Sequence, residues 1–400
     1  MENARVRIHW LERAAPWLVF GLALVFRLAA LDLAAFGYDE ADLVLRARAM
    51  AQGQLPLAGT MTSWGIPDPP FQVYLLAPVA LSPWPVMGTL MFMAVLNALA
   101  VLGTYALGAR FFGWRFGLLA GLLFAVNPWA IYFGRRGWVQ LQPALTVVAL
   151  WSAFEVVQAR RAVGGLPFFL ALAANVQARL LAACYAPAAL ASLALGGRVW
   201  ASRWSLLGIA GGMLLSLPYA LYLVSDRERI AAILAEGNRG VADAPRHGVF
   251  EFTWWLAAGV NLLPTPPGLA GWVDTLGAVM RVESWLAAGL ALGGLGLCGL
   301  RIGRRCPGWR RYALLLTWTI LPLGLVAWQS STVYLHYLVM LFPLPFLLMA
   351  LPLEALASRR GPLHWLAPLL FLAVALLLAI WAARWVGRRA RRRTATSSPP

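Results

Sequence analysis

The stretch that decides the fold is residues 14–53, AAPWLVFGLALVFRLAALDLAAFGYDEADLVLRARAMAQG. Its first half, from about Ala14 to Phe36, is long and apolar enough to cross a bilayer, which takes about 20 residues. Its second half opens on Tyr38-Asp39-Glu40-Ala41-Asp42 and continues with Leu43, Ala47 and Met50 on one side and Arg46 and Arg48 on another. That spacing predicts an amphipathic helix over Asp39–Gly53, lying on the membrane surface. A span that delivers the chain directly to an acidic surface helix sets the pattern for the remaining sequence.

Of 400 residues, 61% are apolar and 12% charged, the latter roughly half the share of a soluble domain. So few charges cannot cover so much apolar surface, which excludes a soluble enzyme, a disulfide scaffold and a disordered chain. All 33 basic residues are Arg, a bias of composition rather than of mechanism. Arg5, Arg7 and Arg13 precede the first apolar stretch as in a signal sequence. The stretch runs too long and lacks a small-residue cleavage site, so it reads as a retained span. Cys184, Cys298 and Cys306 have neither disulfide nor zinc spacing.

With the N-terminus inside, spans are expected near 14–36, 84–107, 116–133, 141–157, 164–178, 180–195, 204–224, 284–300, 312–330, 333–353 and 363–383. That gives about 11–12 crossings in one integral membrane domain over 1–400. Phe71–Leu81 is apolar but too short to span. The polar stretches 37–70 and 225–283 fall outside; in the second, Phe250–Trp255 and Leu263–Pro267 read as interfacial. Residues 384–400 read as an Arg-rich disordered tail. In this arrangement the inner loops hold 16 Arg against 4 acids and the outer loops 10 Arg against 11 acids, the asymmetry of a positive-inside topology. The +17 net charge is thus topological and implies no nucleic-acid partner.

Because the carboxylates gather in the outer loops, acid–base chemistry is expected there. Asp39 serves equally well as a helix N-cap with Asp42 completing a capping box, or as a general base held at the lipid–water boundary. Arg135 and Arg136, in the short outer turn 132–140, are ordinary headgroup contacts or a grip on a phosphate. His336 and Tyr337, in Tyr334-Leu335-His336-Tyr337, belong to an aromatic belt or to the same site. Arg27 and Asp32 are intramembrane ionisable groups, five residues apart and expected to face separate polar neighbours. Walker, dinucleotide, zinc-protease and nucleophile-elbow motifs are missing.

Several short motifs together resemble the polytopic glycosyltransferases of the C fold, chiefly the protein O-mannosyltransferases and the lipid A aminoarabinose transferases. They are the Arg27-bearing first span leading to Asp39-Glu40-Ala41 and a helix closing at Gly53, then Pro69-Pro70-Phe71-Gln72-Val73-Tyr74. Gly108-Ala109-Arg110-Phe111-Phe112-Gly113 follows, then Asn127-Pro128-Trp129 with Arg135 shortly after, and His336-Tyr337 ahead of Pro343. The resemblance covers most of the chain in layout, with its specificity in the N-terminal third. It departs at Asp68, where many relatives carry Lys, and at Gln140 and Gln142, where many carry an acid.

The resemblance implies an all-α, multi-pass protein of a bacterial inner membrane with an extracytoplasmic active site. The donor would be a sugar on a polyprenyl phosphate, and the acceptor a glycan, lipid or protein. Transfer would be inverting, with Asp39 as base, Glu40 as its support, and Arg135, Arg136, His336 and Tyr337 at the donor phosphate. No cofactor is fixed by this reading; a divalent metal is compatible with it, and the lipid-linked sugar is a substrate. The competing class is a transporter or flippase of a lipid-linked molecule. The missing internal repeat speaks against it.

Overall fold

The computed structural model describes residues 2–62, 65–138, 141–236, 248–259, 270–328, 333–358 and 371. Fifteen α-helices are present among them: α1 (Glu2–Leu28), α2 (Tyr38–Ala51), α3 (Phe71–Ala80), α4 (Pro85–Phe112), α5 (Trp114–Val126), α6 (Pro128–Gly134), α7 (Gln142–Val157), α8 (Gly165–Ala178), α9 (Ala186–Gly196), α10 (Arg203–Ser225), α11 (Arg227–Glu236), α12 (Gly248–Ala258), α13 (Ala270–Gly303), α14 (Trp309–Trp328) and α15 (Leu344–Ala357). The described residues contain no β-strand, only an isolated bridge between Met61 and Pro67. The chain is an all-α polytopic membrane protein.

Five stretches among the described residues are long and apolar enough to cross a membrane, or seven when each bent pair counts as one span. α4 has the highest mean hydropathy of the five, 2.0. α10 presents Leu206, Leu207, Met213, Leu214, Leu221 and Val224 outward, a face suited to acyl chains. The expected span 363–383, the tail 384–400 and Leu263–Pro267 lie outside the described residues.

Several expected elements take a different form. The first helix stops at Leu28 rather than Phe36: Ala30 adopts a left-handed conformation (φ 49°) and a 3-10 turn, Leu31–Leu33, follows. The helices expected as spans at 141–157 and 164–178 form, but at 16 and 14 residues they are short for a crossing. The spans expected at 116–133 and 333–353 are each broken, bent by 65° at Asn127 and by 56° before Leu344. α2 does not rest its apolar stripe on lipid. Leu43 and Ala47 are buried against Val73, Leu76 and Ala80 of α3 and Met93 of α4. The apolar piece too short to span is therefore the cover for the amphipathic helix. Phe250–Trp255, expected at the interface, lies within α12, where Phe250 and Glu251 are exposed and the flanking Val249, Leu256, Ala257 and Ala258 are buried.

The break at Asn127 follows from sequence. Pro128 removes a backbone donor and pushes the preceding residue to extended geometry, here φ −64°, ψ 124°. Asn127 Oδ1 then caps α6 by accepting from Ala130 N at 2.9 Å, while its Nδ2 donates to the carbonyls of Leu256 (2.9 Å) and Ala257 (3.2 Å). The carbonyls left open at the end of α5 are met by Arg27, which donates to Ala125 O at 3.3 Å and Phe124 O at 3.5 Å. This intramembrane cation is thus a backbone cap. Close helix approach rests on small residues: a Cβ on Gly117 of α5 would lie 2.6 Å from Ala109 N, and one on Gly208 of α10 would lie 2.8 Å from Leu166 O.

Candidate active site

One end of the bundle collects the start of α2, the turn after α6, the exit of α8 and the 3-10 turn Leu335–Leu341. Gly37, not Asp39, is the N-cap of α2. Its N–H donates to Glu40 Oε2 at 2.9 Å, and Asp42 is engaged with Arg46 one turn on, at 2.9 Å. The capping role expected for Asp39 and Asp42 therefore falls to Gly37 and Glu40, because the cap lies two residues earlier. Asp39 is the second helical residue and only partly buried.

Glu40, 1% exposed, is bound by Arg136: Nε lies 2.6 Å and Nη2 2.5 Å from Oε1. Arg136 also reaches the Tyr132 hydroxyl at 3.5 Å. Its neighbour Arg135 takes the opposite course. It is buried, and Nη2 donates to the carbonyl of Ala30. Of the two cations expected at a phosphate, only Arg136 stands beside the α2 carboxylates; Arg135 ties the end of α6 to the end of the first helix.

His336 and Tyr337 meet this cluster through Trp138 and Arg179. The His336 ring lies 4.7 Å from Trp138, 4.6 Å from Tyr337 and 5.7 Å from Tyr334. Arg179 sits 4.2 Å over the Tyr337 ring and 5.2 Å over Trp138. Its Nη2 is 3.4 Å from His336 Nε2. A guanidinium only donates, so Nε2 is the acceptor and the imidazole proton resides on Nδ1. Five of the six residues expected at the site, Asp39, Glu40, Arg136, His336 and Tyr337, thus gather here; Arg135 does not.

Sequence reasoning passed over Arg179, Trp138 and the role of Asp68. Arg179 was visible as the lone cation between two apolar runs, at the point where one span was expected to end and the next to begin. Burial raises the Asp39 carboxyl above its ordinary range, and the charges of Glu40 and Asp42 push the same way; Arg136 and Arg179 oppose them. The buried Asp68 carboxyl is likewise raised by desolvation, against the pull of Arg179 and of the Leu180 N–H. Gln142, at the start of α7, is fully buried, and Gln140 lies outside the described residues. Glu251 is exposed on α12. Among the described residues no three His, Cys, Asp or Glu side chains converge as metal ligands.

No protein-family model and no curated protein matches the chain. Solved structures do. ArnT from Cupriavidus metallidurans, bound to undecaprenyl phosphate, superposes with a TM-score of 0.62 at 13% identity, over 96% of this chain and 78% of that one. The archaeal oligosaccharyltransferase AglB from Archaeoglobus fulgidus, in complex with an inhibitory peptide and a dolichol-phosphate, gives 0.56 at 14% identity, over 94% of this chain and 56% of that one. A second AglB structure, with Zn and sulfate, gives 0.56 over 93% and 53%. The fold is glycosyltransferase C-like, as the sequence resemblance implied.

Proposed function

We propose that the chain transfers a sugar from a polyprenyl-phosphate donor to an acceptor at the extracytoplasmic face of a bacterial inner membrane, with inversion at the anomeric carbon. The observation that carries the reading is the gathering, at one end of a glycosyltransferase C-like bundle, of a half-buried Asp39 with two arginines and a wall of Trp138, His336 and Tyr337. The neighbours' ligands support the donor class, since ArnT was solved with undecaprenyl phosphate and AglB with a dolichol-phosphate.

The chemistry asks little of the protein beyond what gathers here. An acceptor hydroxyl attacks the anomeric carbon from the face opposite the phosphate. The new C–O bond forms as the bond to the phosphate oxygen breaks, and that oxygen leaves with the electron pair. The hydroxyl proton passes to Asp39, whose raised carboxyl is a better base than an ordinary aspartate. A phosphate departs without protonation, so the second carboxylic acid of a glycosidase has no counterpart here. Cations beside the leaving group stabilise the developing charge. Glu40 holds Arg136 and thereby the turn after α6. The polyprenyl tail of the donor stays in lipid, which puts the chemistry at a membrane boundary, and the Arg asymmetry of the loops supports the extracytoplasmic side.

Mass spectrometry of envelope lipids and glycans in cells with and without the gene tests this reading. Loss of a specific glycosylated product, restored by the wild-type gene and not by Asp39→Asn, is the expected outcome. A lipid-linked sugar that accumulates on one side of the membrane unchanged, with no product missing, turns the assignment to a transporter or flippase.

A further inference from the structure

Of Arg135, Arg136 and Arg179, two are already spoken for. Arg135 donates to the Ala30 carbonyl, and Arg136 is matched by Glu40. Arg179 differs. It is 6% exposed, its Nη2 faces His336, and its Nη1 has no hydrogen-bond partner among the described residues. Buried donors are nearly always satisfied, and one left open on a charged group calls for an explanation.

The guanidinium is held in place from outside its own helix. The peptide groups on both sides of Arg179 are tied to the loop that follows α2 and to the start of α3. The Ala178 carbonyl accepts from Gln72 Nε2 at 3.0 Å, and the Leu180 N–H donates to Asp68 Oδ1 at 3.3 Å. That loop is itself anchored. Gly59 N donates to Asp68 O at 2.7 Å, Asp68 N donates to Thr60 O at 2.8 Å, and the Tyr219 hydroxyl donates to Pro67 O at 2.8 Å. Tyr337 and Trp138 pack against the guanidinium, which leaves its in-plane donors for recognition of an oxyanion.

We propose that Arg179 is the anion-binding residue of this site, taking the phosphate of a polyprenyl-phosphate ligand through Nη1, and that Asp68 and Gln72 are its positioning residues. The identity of the ligand rests on the transferase reading; the anion site rests on the geometry around Arg179. Asp68 acts here as an acceptor for the backbone beside Arg179, so an amide oxygen at the same place serves the same purpose.

The test is a binding titration of the full chain in detergent by native mass spectrometry, with undecaprenyl phosphate and with undecaprenol, which lacks the phosphate. Arg179→Gln is expected to weaken undecaprenyl phosphate by roughly 10- to 150-fold, the loss of one charge-assisted hydrogen bond, and to leave undecaprenol unchanged. Asp68→Ala and Gln72→Ala weaken the phosphate lipid in the same selective way, and Asp68→Asn restores it. A merely structural role would move both lipids together and give no selective rescue. Wild-type affinity for undecaprenyl phosphate in a folded Arg179→Gln protein overturns the proposal, as does a wild-type chain that does not distinguish the two lipids. Should Arg179→Gln fail to fold, the contrast between Asp68→Ala and Asp68→Asn decides. Arg179-dependent binding without any sugar transfer sinks the transferase reading and leaves the anion site standing.

Discussion

The carboxylate of Glu40, in the first turn of α2, is gripped by the guanidinium of Arg136, which lies 96 residues further along the chain at the end of α6. Glu40 is almost wholly buried and Arg136 mostly so, so the pair is sheltered from solvent screening. Removing one member leaves a buried charge uncompensated. Glu40→Ala is expected to destabilise the protein by about 3–5 kcal/mol, and the double variant Glu40→Ala/Arg136→Ala by less than the two single losses combined. Unfolding of the four proteins in one detergent measures the coupling. Simple additivity would mean that the pair is ornamental.

Asp39 separates cleanly from its neighbour. Gly37 caps α2, so replacing the Asp39 carboxylate leaves the helix start intact. Asp39→Asn is expected to keep wild-type thermal stability and to lower turnover by about 10²–10⁴-fold, since an amide cannot take the acceptor proton. More than about a tenth of wild-type transfer would rule out Asp39 as base and move attention to Asp42 or Glu251.

The pH dependence follows from the same carboxyl. Burial and the Glu40 charge raise its affinity for protons, and a base works only when ionised. Activity therefore rises with pH through a midpoint above the ordinary aspartate range. Glu40→Gln removes a negative neighbour and leaves Arg136 unneutralised; both changes favour the ionised form. The acid limb of kcat is expected to shift to lower pH in this variant. A limb that stays in place, or moves upward, contradicts the assignment of that limb to Asp39.

Topology is open to direct labelling. From the Arg asymmetry, residues 37–70 and 225–283 are expected outside. Single cysteines at Ser63 and Asn238, in a background without Cys184, Cys298 and Cys306, are expected to react with a membrane-impermeant maleimide in intact spheroplasts. Labelling only after lysis would place the candidate site on the cytoplasmic face.

The helical membrane architecture was legible because burial in lipid leaves a composition signature that no soluble fold produces. The position of α2 was legible to within two residues, since Leu43, Ala47 and Met50 recur at helical spacing. The partner of that stripe was not: an apolar stripe reads the same whether α3 or lipid covers it. The breaks at Asn127 and before Leu344 were signalled by Pro128 and Pro343, yet hydropathy averaged over a window runs straight through them. At the site, Asp39, Glu40, Arg136, His336 and Tyr337 stood out as polar residues at span boundaries. Arg135 stood out for the same reason and turned inward. Two adjacent arginines on one turn point to opposite sides, and sequence does not say which one faces the α2 carboxylates. Arg179 was hidden by its surroundings, because a cation between two apolar runs looks like a loop residue until the fold buries it.

Arg27 bears on the order of biogenesis. Two of its acceptors, the carbonyls of Phe124 and Ala125, belong to a helix synthesised about a hundred residues later. A nascent α1 thus enters the translocon with a cation whose downstream partners do not yet exist. Arg27 stands in the last turn of α1, so its cost before those partners arrive lies below the value of about 2.5–3.5 kcal/mol for an arginine at a helix centre. The bend at Asn127 leaves open the carbonyls that hold Arg27, so the first helix is completed only by a segment made much later, as Asn127 is by α12.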